Sequence, residues 1–116
     1  MQKMIRSYTT LGDLIVKFKR GEIRLDTDFC LYSKDAMDPL TSETTVWIDE
    51  YPREGVSGED VLPNDVVNNC LELCYYGEQF LDVLNNVFYQ KKENSVDTYI
   101  TALNYYMDHD DFMDIT

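Results

Sequence analysis

Apolar residues recur at helical spacing three times between Pro63 and Met107, and this periodicity dominates the chain. One face of each predicted helix collects them: Val66, Val67, Cys70, Leu71 and Cys74 in the first, Phe80, Leu81, Leu84, Val87 and Phe88 in the second, and Val96, Tyr99, Ile100, Leu103, Tyr106 and Met107 in the third. Ser95 is placed to cap the third helix. Because an isolated helix cannot bury such a stripe, the pattern predicts three helices packed antiparallel against one another.

A fourth helix is predicted near the N-terminus, where it begins at Thr9 or Thr10 and ends at Gly21, a ready left-handed stop. Its buried stripe is Leu11, Leu14, Ile15 and Phe18. Its last turn is basic, with Lys17, Lys19 and Arg20. We interpret these cations as a complement to the helix dipole, or as partners for acidic groups of the body or of a second copy.

Between these helices the pattern changes to that of strands. The pattern over residues 22–33 is typical of a strand. The apolar side chains of residues 29–32 alternate between the two faces of this predicted strand, so both faces are apolar. Residues 44–51, TTVWIDEY, form the clearest strand, with Val46 and Ile48 on one face and Trp47 and Asp49 on the other. We expect an antiparallel pair, with a third short strand near Arg24. Residues 52–62 contain two glycines and a proline and predict an exposed, mobile loop.

Taken together, these elements predict a single α+β domain over residues 1–116: an N-terminal helix, a small antiparallel sheet, then three packed C-terminal helices. No apolar run reaches eighteen residues and the first residues lack the apolar core of a signal peptide, so we expect no membrane span and a cytoplasmic protein. The three cysteines lack metal-binding spacing, and we interpret them as buried free thiols in a reducing compartment.

The charge of the chain is strongly acidic and unevenly placed. The formal net charge is −12, and residues 25–116 hold four basic groups against twenty acidic ones. Such a surface repels nucleic acids and anionic membranes, and it attracts a basic partner at a raised association rate. Plain solubility is the alternative interpretation of the same charge.

The most suggestive chemical cluster lies at the C-terminus, where Asp108, Asp110 and Asp111 surround His109, the single histidine. Neighbouring residues of a helix point about 100° apart, so these groups cannot converge on one ion there. With no nucleophile elbow, phosphate loop or calcium loop, we predict no enzymatic activity, no metal and no cofactor. The last helix either continues through this cluster or stops so that Phe112 folds back onto the core.

The segments FCLYS, TTVWIDEY, EQFLDVLNNVFYQ and ALNYYMDHDDFMD carry a resemblance to a known group of proteins. In these segments the chain resembles bacterial immunity proteins of polymorphic toxin systems, above all those of contact-dependent growth inhibition. The resemblance implies a protein that binds a cognate basic toxin domain, often a nuclease, and blocks its active site. The candidate contact residues are the exposed acids and one aromatic anchor: Asp35, Asp38, Glu43, Trp47, Asp49, Glu50, Glu54, Glu59, Asp60, Asp108, Asp110 and Asp111. One alternative is a structural or adaptor subunit that oligomerises, for example as a homodimer, through its helical face. The other is a small-molecule or metal enzyme whose site assembles from scattered residues.

Overall fold

A computed structural model of the chain describes residues 6–21, 29–34 and 38–115. Its elements are, in chain order, β1 (Ser7–Thr10), α1 (Leu11–Lys19), β2 (Cys30–Ser33), β3 (Thr45–Asp49), β4 (Arg53–Glu54), β5 (Asp60–Val61), α2 (Asn64–Asn68), β6 (Glu72–Tyr76), α3 (Gly77–Gln90) and α4 (Val96–His109). The predicted fold class is confirmed: the protein is α+β, with a small antiparallel sheet and helices that pack together at the C-terminus.

The main sheet has four antiparallel strands in the order β1-β3-β2-β6. β2 and β3 are the two predicted strands, and they pair directly, with Leu31 opposite Ile48. The sequence pattern predicts neither outer strand. β1 has the sequence SYTT, whose short polar alternation gives a weak signal, and it pairs with β3 so that Tyr8 lies opposite Trp47. The strand expected near Arg24 lies outside the described residues.

The sheet buries side chains on both faces, which confirms the prediction for residues 29–32. Phe29 and Leu31 belong to the main core, which α1, α3 and α4 cover. Cys30 and Tyr32 belong to a smaller cluster on the opposite face, together with residues of the α2 region. A strand buried on both faces needs cover on both, and the short α2 supplies the second layer.

The first of the three predicted C-terminal helices stops early, and this part of the prediction is wrong. α2 ends at Asn68, and Cys74 of the predicted stripe lies in β6 instead. Val66 is buried as expected, whereas Val67 is exposed. β6 pairs with β2 and so satisfies the backbone N–H and C=O groups on that edge of β2. A helix over residues 72–76 would leave those groups of β2 unpaired. Two adjacent asparagines, at positions 68 and 69, also disfavour a longer helix.

A Schellman motif ends α2 and turns the chain into β6. Cys70 adopts a left-handed conformation with φ of 55°, and its N–H donates to the carbonyl of Val67 over 3.2 Å. The N–H of Leu71 donates to the carbonyl of Val66 over 2.9 Å. The side chains of Leu71 and Val66 are both buried in the smaller cluster. The motif therefore fixes where the helix stops, although glycine is the residue that usually occupies its left-handed position.

The cysteines correct one expectation. Cys30 and Cys74 are buried free thiols, and burial raises the pKa of each from 9.0 to about 11. Cys70 is exposed, because it lies in the turn after α2 and not on a helical stripe.

The other helix boundaries follow their predicted signals. The Thr10 side chain caps α1 by accepting a hydrogen bond from the N–H of Asp13 over 3.2 Å. Gly21 follows that helix with φ of 69°, a conformation that glycine adopts without strain. The Ser95 side chain caps α4 by accepting from the N–H of Thr98 over 3.3 Å.

α3 follows β6 without a connecting loop, and Gly77 makes this possible. The N–H of Gly77 donates to the carbonyl of Phe29 over 2.8 Å. A Cβ atom at position 77 would collide with that same carbonyl oxygen and with the Phe29 ring. Glycine therefore allows the strand preceding α3 and the segment entering β2 to approach closely.

The C-terminal tail folds back onto the core, which decides between the two predicted outcomes. α4 stops at His109, and the ring of Phe112 packs on Tyr106 but stays 40% exposed, so Phe112 itself does not enter the core. Met113 and Ile115 are partly buried against the main core. The Gln90 side chain pins the tail, since its Nε2 donates to the Met113 carbonyl and its Oε1 accepts from the N–H of Ile115, each over 2.9 Å.

Candidate binding cleft and acidic surface

A cleft of about 360 Å³ opens where β3 ends, between the sheet, the base of the β4–β5 hairpin and the start of α2. The charged residues that line it are Arg6, Asp49, Glu50, Arg53 and Asp65. An apolar wall that includes Tyr51, Leu62 and Pro63 faces them. Asp49 and Glu50 are candidates from the sequence. The other residues come from separate stretches of the chain, so no local motif announces the cleft.

Asp49 supplies a buried charge to this cleft. Its side chain lies on the same face of β3 as Trp47, as the strand alternation predicts, and the residue is only 1% exposed. Its Oδ2 accepts a hydrogen bond from Nε1 of Trp47 and its Oδ1 accepts one from the N–H of Glu50, both over 2.8 Å. No described residue forms an ion pair with it. A carboxylate has about four acceptor positions, so about two of them remain available.

Two arginines meet Glu50 at the rim of the cleft. Nη2 of Arg6 lies 3.7 Å from Oε1 of Glu50, and Nη2 of Arg53 lies 3.2 Å from its Oε2. The arginine side chains are 59% and 78% exposed, so each pair contributes little to stability. Both guanidiniums remain free to rearrange when a ligand binds.

A buried phenol supports the backbone at this point. The Tyr32 hydroxyl donates to the carbonyl oxygen of Glu50 over 2.7 Å. Burial raises the pKa of Tyr32 above its usual value, and nearby ionisable groups, Asp49 among them, raise it further. The phenol therefore stays protonated and holds the end of β3 in place from beneath.

Next to the cleft, the predicted loop forms a hairpin in which β4 pairs with β5. Oε2 of Glu59 accepts from the N–H of Ser57 over 2.9 Å, which holds the turn in one conformation. Val56 at the tip is fully exposed. Glu54, Glu59 and Asp60 are exposed as well, and none of them forms an ion pair with a described residue. The predicted exposure is confirmed, and the segment is more ordered than a loop.

The remaining candidate carboxylates are distributed over two other parts of the surface. Asp38 and Glu43 are exposed in the connection between β2 and β3, whereas Asp35 lies outside the described residues. At the end of α4 the exposed acids are Asp108, Asp110 and Asp111. Every acidic residue that the structure describes is exposed, apart from Asp49, which is buried, and Glu50 and Asp65, which are half-buried.

Trp47, the candidate anchor, lies on the face of the sheet that the main helices do not cover. It is half-buried against the smaller cluster, and its ring centroid lies 4.7 Å from that of Tyr8, which is itself 52% exposed. Asp49 requires a correction, because a carboxylate so deeply buried is not displayed on the surface. A partner reaches it only by inserting a side chain into the cleft.

The cluster around His109 has a local role in the structure. The imidazole ring stacks on Tyr105 with centroids 4.1 Å apart, and Nδ1 lies 3.1 Å from the Tyr105 carbonyl oxygen. Among the described residues, no three His, Cys, Asp or Glu side chains are grouped so that they could hold a metal ion. Within the same residues, no helix has the length and apolar character needed to cross a bilayer.

The helical face, on which the alternative function depends, is largely polar. The outward side of α3 exposes Glu78, Asp82 and Asn85, followed by Tyr89. These residues repeat at helical spacing, so they form one continuous stripe. A stripe with two carboxylates gives little apolar area for self-association. Oligomerisation through this face stays a prediction.

Comparison with known proteins places the chain in a family. A family model described as "Domain of unknown function (DUF7716)" matches residues 8–115. The chain belongs to this family. The match begins within β1 and runs to the folded-back tail, and it includes the hairpin and every residue that lines the cleft except Arg6. No curated protein and no solved structure matches the chain.

Proposed function

We propose that this protein binds a cationic protein partner in the cytoplasm and inhibits it, as an immunity protein inhibits a basic toxin domain. The observation that carries the proposal is the set of exposed carboxylates on the hairpin and at the end of α4. Glu54, Glu59, Asp60, Asp108 and Asp110 make no ion pair with any described residue. Unpaired surface charge of one sign accelerates association with a partner of the opposite sign.

The shape of the hairpin adds to this argument. A two-stranded projection with a fully exposed valine at its tip and carboxylates along its sides fits a cleft with cationic walls. A nuclease needs such a cleft, because its substrate is a polyanion. The turn is already held by its own hydrogen bonds, so binding loses less conformational entropy than binding by a mobile loop.

The proposal predicts that a neighbouring gene encodes a protein with a basic domain, and that domain is expressed and purified for the test. The domain's nuclease activity on plasmid DNA is measured with increasing amounts of this protein. The wild-type protein should inhibit at equimolar concentration. A variant with Glu54→Gln, Glu59→Gln and Asp60→Asn should need at least tenfold more protein, because three charge-assisted contacts are weakened.

The matched control removes the same number of charges elsewhere, with Glu72→Gln, Asp82→Asn and Glu93→Gln, all exposed. It should inhibit like the wild type, apart from a small loss through long-range electrostatics. Equal inhibition by the hairpin variant and the control would argue against the hairpin as the contact site. Failure of the wild-type protein to bind or inhibit the domain would reject the proposed function.

A further inference from the structure

The cleft beside the hairpin contains a buried carboxylate for which the described residues provide no cation. Asp49 is 1% exposed and receives hydrogen bonds only from the neutral donors of Trp47 and Glu50. A buried charge is costly unless an opposite charge or several donors compensate it. Both carboxylate oxygens of Asp49 accept a hydrogen bond, so what the side chain lacks among the described residues is a cationic partner.

The balance of charge around the cleft favours the same conclusion. Three carboxylates, those of Asp49, Glu50 and Asp65, face two guanidiniums. Arg6 and Arg53 are both directed at Glu50 on the rim, so the negative charge in excess belongs to Asp49 and Asp65. The formal net charge of −12 for the whole protein adds a long-range attraction for cations.

The walls and the size of the cleft define the kind of cation. A volume of about 360 Å³ accommodates one long side chain, and Leu62 and Pro63 offer an apolar surface to its methylene stem. The ring of Tyr51 also lines the cleft, and it stacks on Tyr76 with the ring centroids 5.6 Å apart. A guanidinium is weakly hydrated, and its planar fork matches carboxylate geometry, so it loses less on entering such a site than an ammonium does.

We propose that this cleft binds the side chain of an arginine supplied by the partner protein, with Asp49 and Asp65 as its acceptors. The inference depends on the proposed function for the protein that supplies the arginine, whereas the chemistry of the cleft does not depend on it. Entry of the side chain would displace Arg6 and Arg53 outward, since both are exposed and weakly held. The hairpin beside the cleft would contact the surface around the inserted residue.

Trp47 makes the test direct, because it is the single tryptophan of the chain and donates its indole hydrogen bond to Asp49. The probe is N-acetyl-arginine methylamide, titrated to high millimolar concentration at low salt. Tryptophan fluorescence and the NMR signal of the indole N–H are recorded. We expect a saturable change of both signals. The matched probe N-acetyl-citrulline methylamide has nearly the same shape without the charge and should produce none.

Variants assign the response to the cleft. Asp65→Asn should weaken binding of the arginine probe about tenfold, because it removes one charged acceptor. Asp60→Asn removes an exposed charge on the adjacent hairpin and should leave the affinity within about twofold of wild type. Asp49→Asn should abolish the saturable response. If that variant does not fold, the comparison of positions 65 and 60 carries the test.

A wild-type protein that shows no saturable response would overturn the inference, and so would equal responses to arginine and citrulline. Equal affinities of the wild type and Asp65→Asn would also count against it. The titration contains no partner protein, so its result is independent of the inhibition assay. A positive titration with no inhibition rejects the proposed function alone, whereas inhibition without a titration response rejects the cleft alone.

Discussion

The indole N–H of Trp47 donates a hydrogen bond over 2.8 Å to Oδ2 of Asp49, two residues further along the same strand. Both side chains lie on the face of β3 opposite the main core, where Trp47 packs on the smaller cluster and Asp49 lines the cleft. One hydrogen bond thus connects the predicted anchor with the buried carboxylate. It also connects the stability of the fold with the chemistry of the candidate site.

We expect Trp47→Phe to lower the free energy of unfolding by about 1–3 kcal/mol, because it leaves the buried carboxylate with one donor fewer. Asp49→Asn should also be destabilising, and the double variant should lose less than the sum of the single losses. Chemical denaturation of the four proteins measures this coupling. Tyr8→Phe keeps the ring that contacts Trp47 and serves as the control. Strict additivity of the two substitutions would contradict the account.

The left-handed residue that ends α2 gives a second prediction. Cys70→Gly should stabilise the protein by up to about 1 kcal/mol, because glycine adopts a positive φ without the steric cost of a Cβ atom. Cys70→Val should be destabilising, since a β-branched side chain is the least compatible with this conformation. Thermal unfolding followed by circular dichroism separates the two variants. Asn68→Gly, within the helix, should be destabilising and shows that glycine is favoured at position 70 alone.

Close approach between β2 and α3 gives a third prediction. Gly77→Ala should cost about 1–3 kcal/mol, because the added methyl group displaces the Phe29 carbonyl and breaks its hydrogen bond with the N–H of residue 77. Urea denaturation measures the loss. Asn85→Ala, at an exposed position of the same helix, should be neutral or slightly stabilising. A Gly77→Ala protein as stable as the wild type would show that the two segments are further apart than described.

The buried thiols predict an alkaline limit to stability. In the folded chain the pKa of Cys30 and Cys74 is about 11, against 9.0 for an unperturbed thiol. The unfolded state therefore loses its thiol protons first, and unfolding becomes easier as the pH rises from about 9 to 11. Denaturation midpoints measured between pH 7 and 11 should fall over this range.

Two controls separate this effect from general alkaline damage. A Cys30→Ala, Cys74→Ala protein should show a shallower decline, with the remainder due to buried tyrosines such as Tyr32, whose pKa burial also raises. In the wild type at neutral pH, a thiol reagent should modify Cys70 rapidly and the other two only on unfolding. Equal rates at all three positions would contradict the described burial.

Local signals in the sequence were sufficient for much of the fold. The helix start at Thr9 or Thr10, the cap at Ser95, the stop at Gly21 and the alternation in β3 depend on a few neighbouring residues, so the pattern alone predicts them. β6 was missed because its residues also fit a helical stripe, and pairing with β2 decides between the two structures. Such a pairing joins residues about forty positions apart, and no local periodicity contains it.

The candidate site likewise has features that local sequence predicts and features that only the folded chain creates. Exposure of the acids at positions 54, 59 and 60 follows from composition and turn residues, and the structure agrees. The cleft combines Arg6 with the end of β3 and the start of α2, and only the folded chain brings these together. The sequence shows that Asp49 is an acidic residue of a strand. Its burial depends on residues from distant parts of the chain that surround it only in the folded protein.

Binding as a function of salt tests the central claim most directly. The dissociation constant between this protein and the predicted basic partner domain is measured by calorimetry at roughly 50, 150 and 300 mM NaCl, the range over which exposed charges become screened. The account predicts a complex whose affinity falls by about tenfold or more across this series, with most of the change in the association rate. A complex of unchanged affinity, or no complex at the lowest salt, would contradict it.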